Sequence, residues 1–258
     1  MKIFAPHEHD ITGRSLNELR QHTFECQFRG KKALFTTPES RTIGNKRSFR
    51  VPPLEAIREM IKSVYWKPGL TVVVDAVRVM NCMDTVLNND ETTRGSVGLD
   101  YKRTQPVMIT EYLRDPWYKV RFHLDWDKEN LHIKGEINTR KQIEMMQRYI
   151  NKGTARNPCY FGVSECVAEC SPCQFEDDVG YYDNTGDIEM SYMYLCKIYP
   201  EMTENPKWNT QRRLAFWTPV MRDGVLVYPQ MDEIPEKDTV VLLENQQAHR
   251  AVNKCKVD

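Results

Sequence analysis

The stretch PPLEAIREMIKSVYWKPGLTVVVDAVRVMN, residues 52–81, changes its hydrophobic period once, and that change limits the folds open to the chain. In its first half Leu54, Ile57, Ile61 and Val64 recur at helical spacing, with Pro53 suited to the first turn. In its second half β-branched residues crowd together, which predicts a strand at 70–81. Arg58, Lys62 and Tyr65 share another helical face, so Tyr65 need not be core and can continue a cationic stripe, the alternative being an aromatic packed on the sheet with its hydroxyl satisfied. Trp66 is expected in the core, with Pro68 fixing the exit of the turn.

The same two periods recur along the chain. "TFECQFRG" (23–30) alternates with Phe24, Cys26 and Phe28 on one face. "WYKVRFHLDW" (117–126) sets Tyr118, Val120, Phe122 and Leu124 against Lys119, Arg121, His123 and Asp125. "TRKQIEMMQRYINKG" (139–153) predicts a second helix with Ile143, Met146 and Ile150 inward and Lys141, Met145 and Arg148 on another face. Gly153 suits its C-terminal cap. "CYFGVSECVAEC" (159–170) predicts a further strand. Residues 30–51 read as a polar, basic connection, and 84–106 as a long mobile loop.

Strand, helix, strand, strand, helix, strand is the split βαβ order of an α+β, ferredoxin-like fold, the frame of RNA-recognition domains. Both helices are then expected on one face of a four-stranded antiparallel sheet. The paired stacking aromatics common on such sheets are not evident. Short strands and turns after residue 175 predict a small β-rich unit. The expected divisions are an extension at 1–22, the ferredoxin-like domain at 23–175, a small β-sheet domain at 176–230 and a polar tail at 231–258.

At 258 residues and 40% apolar the chain can bury a sizeable core. No stretch approaches the roughly 18 apolar residues of a membrane helix, and "MKIFAPHEHDITGR" lacks the apolar centre of a signal peptide. A cytoplasmic protein is expected. Of eight cysteines, Cys159, Cys166, Cys170 and Cys173 cluster, but only Cys170 and Cys173 have C-x-x-C spacing. Buried thiols are expected there, with no metal and no cofactor. A zinc-dependent module stays open as the contrary reading. Net charge is zero, yet residues 1–68 hold 13 Lys or Arg against 7 Asp or Glu. No Lys or Arg occurs between Glu165 and Glu189. The basic half suits a polyanion, although a solvated surface gives the same balance.

The segments "KKALFTTPES", "KRSFRVPPLEAIREMIKSVYWKPGLTVVVDAVRVMN", "EYLRDPWYKVRFHLDW" and "FGVSECVAECSPCQF" occur in one familiar order. Over residues 23–229 the chain resembles the Cas-five proteins of type I-C CRISPR systems, in the RAMP superfamily, most specifically at "YWKP". The resemblance implies a ferredoxin-like domain followed by a small β-sheet domain. It implies metal-independent cleavage of precursor CRISPR RNA beside each repeat hairpin. It also implies that the protein stays on the 5′ handle as a subunit of the Cascade complex, beside backbone and large subunits. The family's catalytic tyrosine and lysine fall on Tyr65 and Lys141, and its adjacent histidine position is occupied by Gln142.

Such cleavage needs a base for the 2′-hydroxyl, a cation for the phosphorane and an acid for the leaving oxygen. It leaves a 2′,3′-cyclic phosphate and a 5′-hydroxyl. Lys141 can supply the cation. An ordinary phenol is a poor base at neutral pH, so Tyr65 needs a neighbouring cation, and Arg58 and Lys62 share its face. Gln142 can hydrogen-bond a phosphate but cannot exchange a proton. His123 and His132 are the nearest imidazoles in sequence. Lys46, Arg47, Arg58, Lys62, Lys67, His123 and Arg148 are the expected RNA contacts. Two function classes remain, an endoribonuclease and a non-catalytic subunit that binds the 5′ handle.

Overall fold

The computed structural model describes residues 18–36, 46–88, 110–126, 138–199, 212–229 and 233–241. The extension up to residue 17, His132, most of the loop expected at 84–106 and the tail beyond 241 lie outside these residues.

The elements begin with β1 (Thr23–Arg29), β2 (Lys32–Ala33), β3 (Lys46–Arg47), α1 (Leu54–Val64), β4 (Leu70–Val79) and β5 (Thr85–Asn88). Next come β6 (Thr110–Arg114), β7 (Trp117–Trp126), α2 (Thr139–Asn151), β8 (Cys159–Tyr160), β9 (Val167–Pro172) and β10 (Asp187–Glu189). The last are β11 (Met193–Ile198), β12 (Arg213–Trp217), β13 (Val220–Arg222), β14 (Val225–Leu226) and β15 (Thr239–Val241). The described chain is mostly β with few helices. It divides into two compact units, one running to Ser191 and including Thr218–Tyr228, the other holding Tyr192–Trp217 and residues from Pro229.

The first unit is built on an eight-stranded sheet in the order β10-β13-β14-β4-β7-β1-β9-β8. Phe24, Cys26 and Phe28 of β1 lie opposite Phe122, Val120 and Tyr118 of β7. The Phe24 and Phe122 rings stack at 5.4 Å. Each such buried phenylalanine stabilises the fold by about 1.5–3 kcal/mol. Period-2 alternation therefore makes one face of the sheet apolar. α1 packs against β4, α2 against β9, and the helices touch each other, so both lie on one side of the sheet. α1 buries Leu54, Ile57, Met60, Ile61 and Val64.

A bulge between Val74 and Ala76 interrupts β4 where it pairs with β7. Its extra residue keeps Val72, Val74, Val77 and Val79 all buried and leaves Asp75 on the polar face, bonded to His123. Beyond the bulge, Arg78 lies directly opposite Lys119. Two like charges in that register repel, and both residues are buried. The acidic stretch after β9 resolves the conflict. Lys119 Nζ donates to the Gln174 carbonyl at 2.9 Å and to the Asp177 carbonyl, and pairs with Asp178. Arg78 donates to the carbonyls of Phe175, Asp177 and Asp178 and to the Asp183 carboxylate at 2.7 Å. Lys119, expected in solvent beside Arg121, is therefore covered by residues 174–183.

Three other expectations change. Residues 30–51 are not only a connection, because β2 and β3 pair with β6, and β5, at the start of the expected loop, pairs there too. The single strand expected at 159–170 is a hairpin, with Cys159 opposite Ala168. Gly162, at φ +90°, turns the chain between the two strands. Residues 187–189 and 220–226, placed by sequence in a separate unit at 176–230, extend the main sheet through β14 pairing with β4. The second unit is the three-stranded sheet β11-β12-β15, with Leu195, Cys196, Ile198 and Ala215 buried.

Gly162 supports a first prediction. A Cβ there would sit 2.1 Å from the Leu34 carbonyl oxygen, at a φ that L side chains rarely adopt. Gly162→Ala is expected to cost about 3 kcal/mol, summing left-handed strain and overpacking. Urea denaturation measures it, and an unchanged midpoint would show that this turn relaxes freely.

Candidate functional site

α1 ends where its hydrogen bonding ends. The Tyr65 N–H still reaches the Ile61 carbonyl at 3.2 Å, but the Tyr65 backbone is already extended, at φ −158° and ψ 129°. In extended chain, successive side chains point to opposite sides. Tyr65 accordingly turns inward, 3% exposed, and Trp66 turns outward, 39% exposed. The expectation for Trp66 is thereby reversed, and Tyr65 takes the packed alternative to the cationic stripe. Trp66 is held by its indole N–H, which donates to the Leu70 carbonyl at 2.8 Å.

Tyr65 meets the first turn of α2. Its hydroxyl donates to Gln142 Oε1 at 2.6 Å, and its ring stacks on Tyr149 at 5.7 Å with the planes 21° apart. Gln142 is 2% exposed and shares the inward face with Thr139, Met146 and Ile150. Ile143, expected inward, is only half-buried. A polar glutamine can hold a core position because the phenol satisfies its amide oxygen. Asn138 caps the helix, its side-chain oxygen accepting from the Lys141 N–H at 3.0 Å. Lys141 is exposed at the position before Gln142. Tyr65 and Gln142, far apart in sequence, are thus brought together with Lys141 adjoining.

The remaining expected residues disperse. Arg58 pairs with Glu55 at 3.0 Å and Lys62 with Glu59 at 2.7 Å, both along α1. Arg47 is exposed on β3 and pairs with Glu111, with Lys46 beside it. Arg148 is exposed in the last turn of α2. His123 Nδ1 lies 2.8 Å from Asp75, on the sheet face opposite the one the helices cover, so it does not replace an imidazole beside Tyr65. Burial pushes the Cys159 thiol up to about 12 and the Cys173 thiol up to about 11. Cys26 on the neighbouring strand instead holds the Cys170 thiol below its ordinary value. Among the described residues no three His, Cys, Asp or Glu side chains converge as metal ligands would.

On the outer side of the same turn lies a groove of about 640 Å³, lined by Glu59, Lys62, Trp66, Lys67, Arg156 and Asn157 among others. The chain after α2 builds its far wall. The Arg156 N–H donates to the Val64 carbonyl at 3.2 Å and the Asn157 N–H to the Ser63 carbonyl at 2.9 Å, satisfying the end of α1. Sequence reasoning missed Arg156, because "TARNP" carries no periodic signal and its role depends on docking against a helix about 90 residues earlier.

Residues 23–228 match the family model described as CRISPR-associated protein (Cas_Cas5). One solved structure, of a CRISPR-associated protein, superposes with a TM-score of 0.67 at 24% identity, covering 86% of this chain and 97% of that one. The functionally uncharacterized protein SMU1763c from Streptococcus mutans superposes with a TM-score of 0.65, again at 24% identity and over 86% and 97% of the two chains. Among curated proteins none matches. At this identity the structural likeness speaks for a shared fold.

Proposed function

The chain belongs to the CRISPR-associated Cas_Cas5 family, and we propose that it binds CRISPR repeat RNA and holds the 5′ handle as a subunit of a Cascade-type surveillance complex. The quoted motifs support the type I-C branch. The strand order β4-β7-β1-β9, with both helices on one face, supports a ferredoxin-like frame for RNA. A subunit of this kind works in the cytoplasm, and no helix among the described residues is long and apolar enough to cross a membrane.

One observation favours holding over cutting. The Tyr65 hydroxyl is buried and engaged by the Gln142 amide, at 2.6 Å. An amide oxygen cannot take up a proton or pass one on, so Gln142 cannot itself be the proton-exchanging group that metal-independent cleavage requires. The test uses the whole protein, a repeat hairpin RNA with its single-stranded flanks, and a chelator. Binding without cleavage is expected. If three phosphates of the flanks are neutralised, a fourfold rise in salt should weaken binding roughly 20-fold. Affinity that stays flat with salt would count against phosphate recognition. Products ending in a 2′,3′-cyclic phosphate would overturn the holding reading.

A second reading, a metal-independent endoribonuclease, is favoured by the convergence of Tyr65 and Gln142 across 77 residues, with Lys141 exposed beside them. In it Lys141 neutralises the phosphorane and Tyr65 handles a proton.

A further inference from the structure

We infer that the groove outside the YWKP turn is a binding site for one unpaired nucleotide of the RNA, with the base stacked on Trp66 and its phosphate held by Lys67 and Arg156. This rests on the RNA-binding reading and adds a subsite to it. Trp66 exposes 39% of its surface, and its only polar atom is already committed to the Leu70 carbonyl. What faces the groove is therefore aromatic surface, held in orientation by that bond. An exposed, fixed indole is a platform that any base can use.

The surrounding charge completes the argument. Among the described residues that line the groove, Lys62, Lys67 and Arg156 are the cations and Glu59, which Lys62 pairs at 2.7 Å, the carboxylate. A helix C-terminus would ordinarily repel a phosphate. Here the Ile61, Ser63 and Val64 carbonyls are taken up by the N–H groups of Tyr65, Asn157 and Arg156. Those same bonds fix the backbone that carries Arg156. At about 640 Å³ the space is within the range of small-ligand sites. Its walls are mostly polar, which suits a nucleotide better than an apolar helix of a partner protein.

The test measures affinity of the whole protein for repeat RNA with single-stranded flanks, together with a series of the same RNA carrying one abasic position at a time. Trp66→Ala is expected to weaken binding about 5- to 150-fold, and Trp66→Phe, which keeps a ring, by much less. One abasic RNA should bind wild type weakly yet lose nothing further with Trp66→Ala. Arg156→Ala should weaken all RNAs alike and reduce the salt slope by about one. If wild type binds repeat RNA but Trp66→Ala binds it equally, or no abasic position matters, the subsite is overturned while the RNA-binding reading stands. If wild type binds no repeat RNA, both fall.

Discussion

Lys119→Ala is expected to lower the stability of the fold by about 4 kcal/mol, a large effect for a surface-patterned lysine. The side chain is 0% exposed, so truncating its stem leaves a cavity costing on the order of 2–5 kcal/mol. It also strips a charged donor from the Gln174 and Asp177 carbonyls, each a further 1–3 kcal/mol or so, partly recovered if water enters. Arg78, the Arg121–Glu176 pair and the bond from the Phe175 N–H to Glu25 still hold residues 174–183. Asp178→Asn should do far less, because that carboxylate side chain is 57% exposed. The Lys119 ammonium, through its hydrogen bond and charge, holds the Asp178 carboxyl below the usual carboxylate range. That contribution is present above an ordinary carboxylate pKa near 4 and is lost as pH falls through the lower folded value. Urea denaturation at neutral and acid pH reads both effects. A Lys119→Ala midpoint close to wild type would show that the segment's other contacts, those of Arg78 and Arg121 among them, hold it without the lysine.

That lysine marks the limit of what the sequence could show. The alternation over 117–126 assigned Lys119 to the polar face, and the register agrees, since its neighbours Tyr118 and Val120 face the core. Its burial comes from a segment 55 residues and more away, which no local period reports. The lysine-free stretch 165–189 read as a charge imbalance, whereas part of its acid answers two buried cations of the first unit. β1, β7 and α1 were legible because each carries its own period over seven or more residues, and β4 because β-branched residues crowd together in it. β13 and β14, three and two residues long, have no period to read and exist through pairing alone. The inward turn of Tyr65 stayed undecided in the sequence for a different reason. Extending the helical period one residue past Val64 put the phenol on the Lys62 face, but the backbone had already become extended. The burial of Gln142 was not legible because a polar side chain in a core position is intelligible only once its distant partner is known.

The site prediction turns on that partner. Gln142→His is expected to gain metal-independent cleavage of repeat RNA by at least about 100-fold over wild type, the lower bound for a positioned acid or base. The substitution places a group that can exchange protons where the amide now meets the Tyr65 hydroxyl at 2.6 Å. Lys141, already exposed at the neighbouring position, is available for the phosphorane charge. Adding Tyr65→Phe should abolish the gain. Alone, Tyr65→Phe removes a buried hydrogen bond and should cost about 1–2 kcal/mol of stability while leaving RNA affinity nearly unchanged. The burial of Tyr65 is a second obstacle, because a ribose 2′-hydroxyl must reach its ring. The two obstacles separate cleanly in the assay. A Gln142→His protein that folds and binds RNA but does not cut would show that burial, not the missing imidazole, bars the chemistry, and the nuclease reading would be lost. Wild-type cleavage that Tyr65→Phe removes would instead make the tyrosine a catalytic residue despite its amide partner.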